Sequence, residues 1–225
     1  MKRIFKVFNL YEWIFIIVCY ALIITLGIVY KSNVWEIVST LFGLTAASLN
    51  VKSNPHCFYF YSVYALSYGI ISFINHQYGE GILNLVYNLP LYCFTIWNLF
   101  FRKKESSQKF IGSLKKNHWL IVIILIPSVT FGYGYILKIL NSNLPFINAM
   151  ATSFSIIASF LASRLIKEQW IFWIGYSAIS IYIWIFNFSN TGDTGLLYFS
   201  LNIIYVILNL KGLFTWYKLY KKQEF

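Results

Sequence analysis

Eight apolar stretches, each about 17–24 residues long, alternate with short polar gaps along the chain, and each has the length an α-helix needs to cross the hydrocarbon of a bilayer. They run Glu12–Tyr30, Val34–Asn50, Cys57–Asn75, Gly79–Phe101, His118–Leu140, Pro145–Ile166, Trp170–Phe188 and Gly195–Tyr217. The pattern predicts an all-α, polytopic membrane protein with about eight transmembrane helices.

The gaps differ in charge, and the difference orients the chain. Eight crossings return it to the side on which it began. On that side fall 16 of the 18 Lys and Arg residues, from Lys2, Arg3 and Lys6 through Arg102–Lys116 to Lys211–Lys222. Only Lys31 and Lys138 fall on the other side. Basic loops stay cytoplasmic, so both termini are expected in the cytoplasm.

Composition agrees. The chain is 59% hydrophobic and 11% charged, where a soluble domain carries about 25% charged residues. Its net charge of +11 is therefore read as topology and contact with anionic lipid, not as a nucleic-acid footprint. The longest polar stretch, Arg102–Asn117, is too short for a soluble domain. The first apolar stretch is read as a helix and not a cleaved signal, because Tyr20-Ala21-Leu22 offers no small-x-small site. Cys19, Cys57 and Cys93 read as apolar fillers. His56, His76 and His118 lie at segment ends without metal-ligand spacing, so neither a metal nor a cofactor is expected.

The third and seventh stretches resemble each other. Laying Tyr61–Phe73 on Ile174–Phe186 matches Ala65 with Ala178, Ser67 with Ser180 and Phe73 with Phe186. One residue out of step, Gly81, Leu83 and Asn88 match Gly195, Leu197 and Asn202. The match divides the chain into an amino-terminal tail and additional helix (1–33), a three-helix unit (34–101), a cytoplasmic loop with a linker helix (102–144) and a second three-helix unit with a basic tail (145–225). A three-helix unit ends on the side opposite its start, so two parallel copies need one extra crossing between them. The expected core is thus a 3+1+3 parallel repeat of the SWEET type, a transporter architecture with its site between the units.

Polar residues at depth are the candidate site. Every acidic residue lies at a helix end or in a loop. No carboxylate is therefore expected to couple transport to protons or sodium, and no catalytic set is present. Asn84 and Asn88 share a face of the fourth helix; Asn202 lies at the matching depth of the eighth, and Asn209 two turns deeper. Trp170 opens the seventh helix as either an interfacial anchor or a site residue. Trp173 lies about 5 Å deeper, with Ser177 one turn on, placed to stack an aromatic ring and hydrogen-bond its substituents. Pro90 is expected to kink the fourth helix.

From Val34 to the carboxyl end the chain resembles the PnuC-type vitamin transporters, the family of the nicotinamide riboside carrier. The family's Trp-x-x-Trp-x-x-x-Asn motif reads here Trp170-Ile-Phe-Trp173-Ile-Gly-Tyr-Ser177, with serine in place of asparagine. A family glutamine aligns with Asn84, and the last helix keeps Gly212-Leu-Phe-Thr-Trp216. The resemblance implies the 3+1+3 fold, facilitated diffusion of a flat heterocycle bearing a sugar or polar appendage, and trapping of the cargo by a cytoplasmic kinase. Nicotinamide riboside is the first expectation. Thiamine or a (deoxy)nucleoside is the alternative, because Ser177 and Asn84 stand where the substrate is read. An integral-membrane binding subunit of an ATP-driven importer is the alternative of another class. A homo-oligomer is compatible with the sequence.

Overall fold

The computed structural model describes residues 7–74, 78–102, 111–191 and 195–223. Its order is α1 (Leu10–Val29), α2 (Val34–Val51), α3 (Cys57–Ile74), a composite fourth crossing, then α6 (Lys116–Ile139), α7 (Pro145–Ser163), α8 (Gln169–Thr191) and α9 (Gly195–Gln223). The fourth crossing consists of α4 (Tyr78–Ile82), a π-helical stretch (Leu83–Asn88), α5 (Leu89–Ile96) and a second π stretch (Trp97–Arg102). The seven unbroken helices are each long and apolar enough to cross a membrane. Large apolar side chains such as Leu22, Ile124 and Phe214 point outward, as a lipid-facing surface requires.

Local chemistry sets the helix ends. Asn9 and Asn33 each accept a backbone N–H in the first turn while Glu12 and Glu36 bond back to the cap residue's own N–H. These capping boxes start α1 at Leu10, two residues before the apolar run. Lys31, Ser53, Asn141 and Leu165 take the left-handed conformation just past α1, α2, α6 and α7. The following N–H closes on a carbonyl of the last turn, as in Asn54 to Leu49 and Ile166 to Leu161, which satisfies carbonyls the helix leaves open. At its far end α9 runs six residues beyond the apolar stretch. There Gln223 accepts the N–H of Ile111 at 3.0 Å and Lys167 sits 3.2 Å above the Tyr220 ring. Polar contacts, invisible to hydropathy, extend that helix.

At Pro90, where a kink was expected, the structure shows a widened turn. Pro90 has no N–H for the carbonyl four residues back, and the helix just before it is π-wound, with Leu89 N–H reaching the Asn84 carbonyl. Packing joins neighbours in sequence: α2 with α3, α3 with the fourth crossing, α6 with α7, α7 with α8 and α8 with α9. Two further contacts join the halves, α2 with α9 and the fourth crossing with α7. The first helix lies against α2 and α9. There Glu12 takes Lys52 at 2.6 Å and Lys211 at 2.7 Å, so one buried carboxylate ties three helices together.

Candidate functional site

The halves enclose a cleft, walled by α2, α3, the fourth crossing, α7, α8 and α9. Its cavity volume is about 50 Å³.

On the fourth crossing, Glu80, Asn84 and Asn88 lie four residues apart and line one wall. The Asn84 amide donates to the Glu80 carbonyl at 2.9 Å and stands 3.5 Å from a Glu80 carboxylate oxygen. Asn88 donates to Asn84 Oδ1 at 3.2 Å. Its own Oδ1 is buried with no hydrogen-bond partner among the described residues. Such an oxygen is costly to leave unpaired and is an acceptor held ready for a donor. Both asparagines fall within the π stretch, and π turns recur at functional sites.

Opposite them, α8 brings Trp173, Tyr176 and Ser177, and α9 brings Tyr205 and Asn209. The Asn209 amide donates to Ser177 Oγ at 3.0 Å and to the Trp173 carbonyl at 3.1 Å. Ser177 therefore keeps its own O–H to donate, and the Asn209 carbonyl oxygen makes no hydrogen bond among the described residues. A donor and an acceptor stand side by side. The indole N–H of Trp173 is likewise buried without a partner. Tyr61, Tyr64 and Tyr92 complete the aromatic wall, with Tyr61 and Tyr92 stacked at 5.2 Å. Gly43 makes room for it: a Cβ there would stand 2.5 Å from the Tyr205 hydroxyl and 3.0 Å from the Tyr64 ring.

The structure thus brings Trp173, Ser177, Asn84 and Asn88 to one cleft and leaves two expected residues outside it. Trp170 shares the helix face of Ser177 but lies about two turns nearer the start of α8, where the helices close. It is 1% exposed, stands edge-on to Trp216 at 5.9 Å, and covers Gly212, where a Cβ would meet its ring at 2.6 Å. It is neither a lipid anchor nor a cleft residue. Asn202 is buried without lining the cleft; Asn209, two turns along the same face, takes that place. Glu80 takes its expected place at a helix end, in the first turn of α4, and there it lines the cleft; its four-residue spacing to Asn84 was the signal. The tyrosines were missed because nothing in a chain with 18 of them singles out five.

The chain has relatives. A nicotinamide riboside transporter PnuC of Neisseria mucosa is 26% identical over 162 residues, 70% of this chain and 62% of that protein. A PnuC nicotinamide riboside transporter of Haemophilus influenzae is 22% identical over 82% of this chain and 80% of its own. The chain thus matches somewhat less than two thirds of the Neisseria protein and four fifths of the Haemophilus one. Among solved structures, the crystal structure of the vitamin B3 transporter PnuC superposes with a TM-score of 0.81 at 21% identity, covering 96% of this chain and 94% of that one. The fold is therefore that of a membrane transporter. With the sequence model of the family matching residues 33–218, the chain belongs to the nicotinamide mononucleotide transporter family.

Proposed function

We propose that the chain carries nicotinamide riboside across the bacterial inner membrane by facilitated diffusion, with both termini in the cytoplasm and a cytoplasmic kinase trapping the cargo. The observation that carries the cargo is the Ser177–Asn209 pair beside Trp173. A carboxamide on a flat ring needs one donor for its oxygen and one acceptor for its NH2. Ser177 O–H and Asn209 Oδ1 supply them, while Trp173 and the tyrosines offer ring faces for stacking. Asn88 Oδ1 awaits a hydroxyl of the sugar. Among the described residues no Lys or Arg lines the cleft, so a phosphate would meet no counter-charge there, which favours the riboside over the mononucleotide. Both relatives named above are called nicotinamide riboside transporters, and both are bacterial.

The repeat reading has support of its own. Exchanging the halves turns α2 into α7 and the fourth crossing into α9. The α2–α9 contact then becomes the contact between α7 and the fourth crossing, and both occur. A cleft on the axis between two such units is where a parallel-repeat transporter binds its cargo.

The test is uptake by purified protein in liposomes without ATP. Nicotinamide riboside should enter and be competed by excess unlabelled riboside, but not by thiamine, thymidine or the mononucleotide. Uptake that requires an ATP-driven partner, or stronger competition by thiamine or thymidine, would replace this reading with one of its alternatives.

A further inference from the structure

Glu12 and Glu168, buried among the described residues, each stand beside a cation; Glu80, half-buried in the cleft wall, does not. Glu12 holds Lys52 and Lys211. Glu168 lies 3.8 Å from Lys167 and accepts from Ser113 Oγ and the Leu114 N–H. Glu80 has no cation beside it among the described residues, and its carboxylate receives only the distant Asn84 amide, at 3.5 Å. Among the described residues it is also the single charged side chain in the cleft wall, within the electrostatic reach of Tyr64 and Tyr176. An ionised group inside a membrane protein is expensive unless paired, and where one persists it marks the path of a substrate or ion.

The missing partner has a definable chemistry. It must be a cation that reaches the cleft without being part of the protein. It must also fit between ring faces, which attract positive charge through their quadrupoles. A heteroaromatic ring quaternised at its nitrogen by a sugar meets both conditions, because its charge is spread over a flat, weakly hydrated surface. We propose that Glu80 is the counter-charge for a cationic heterocycle, and the residue by which the cleft distinguishes a positively charged nucleoside from its neutral and its phosphorylated forms. The inference rests on the nicotinamide riboside reading and adds the basis of its selectivity. A phosphate placed near Glu80 brings like charges together in a low-dielectric space. A reduced, uncharged ring keeps the carboxamide and the ribose but loses the attraction.

The experiment compares three ligands by calorimetry or competition: nicotinamide riboside, its neutral 1,4-dihydro form and nicotinamide mononucleotide. They are applied to purified wild type, Glu80→Gln and Glu80→Asp, each first shown to be monodisperse. Wild type should prefer the cation to the dihydro form by about tenfold or more, equivalent to one step of about 1.4 kcal/mol. Glu80→Gln, nearly the same shape, should bring that ratio within about twofold and leave binding of the dihydro form unchanged, while Glu80→Asp retains part of the preference. A ratio unchanged in Glu80→Gln overturns the proposal, and a merely structural role for Glu80 would weaken all ligands alike. Wild type binding both forms equally overturns it without any variant. Wild type binding no riboside at all removes the functional reading itself, a different result from an unchanged ratio.

Discussion

Two tryptophans three residues apart do different work. Trp173 offers a ring to the cleft, and stacking of a base on an aromatic side chain is worth about 1–3 kcal/mol. Trp173→Ala should therefore weaken riboside binding by about 5- to 150-fold in the folded protein. Trp170 is buried between α8 and α9 against Trp216. Its replacement by Ala leaves a cavity costing about 3–5 kcal/mol, so thermal unfolding should move while the affinity of the surviving folded protein does not. Opposite results for the pair would exchange their roles. Ser177 and Asn209 form a second such pair, one hydroxyl and one amide at 3.0 Å. Ser177→Asn alone crowds a packed site and should cost about 1–3 kcal/mol. Adding Asn209→Ser returns the amide and hydroxyl to the same volume, so stability and riboside affinity should both recover. A double variant no better than the single one would show that the two side chains do not act together.

At the scale of elements, the first helix is attached by charge as much as by packing. Glu12 caps the helix through Asn9 and binds Lys52 of the loop after α2 and Lys211 of α9. Glu12→Gln keeps the cap, because glutamine also closes a capping box, and removes the ion pairs. Hydrogen bonds to charged groups are worth about 1.5–3 kcal/mol, so thermal unfolding in detergent should begin several degrees lower. An unchanged midpoint would mean that α1 is held by apolar contact alone. The fourth crossing shows the opposite economy. Its length and hydropathy were plain in the sequence, and Pro90 announced an irregularity. Nothing local, however, told a kink from a widened turn that holds Asn84 and Asn88 on the cleft.

For the whole molecule, sidedness and energetics are open to direct tests. Cysteine introduced at Ser107, which lies outside the described residues, and at Ser142, just past α6, should be labelled from opposite sides of the membrane. Labelling of both from one side would remove the eight-crossing arrangement. Glu80 stands in the cleft as a counter-charge, so initial uptake at clamped membrane potential should not respond to an imposed proton or sodium gradient. A several-fold stimulation by either ion would make Glu80 a coupling residue and the carrier a symporter.

Crossing segments, their order, the charge asymmetry of their loops and the family were all legible in the sequence. The reason is that burial in lipid acts on each segment of about 20 residues by itself, and loop charge acts on each gap by itself. Trp173 and Ser177 were legible too, because helical spacing places them on one face without reference to any neighbour. What only the tertiary structure decided was which polar groups face the cleft and which are spent on holding helices together. Asn209 meets Ser177 across 32 positions, Asn50 meets Gln169 across 119, and Trp216 reaches the Asn50 carbonyl across 166. Each of these groups would read alike in isolation, as a polar side chain at depth. A buried polar group is satisfied by whatever the fold brings beside it, so its role is a property of the packing. Glu80 is the clearest case: a helix-end residue by position along the chain, and a cleft residue once α3, α8 and α9 close around it.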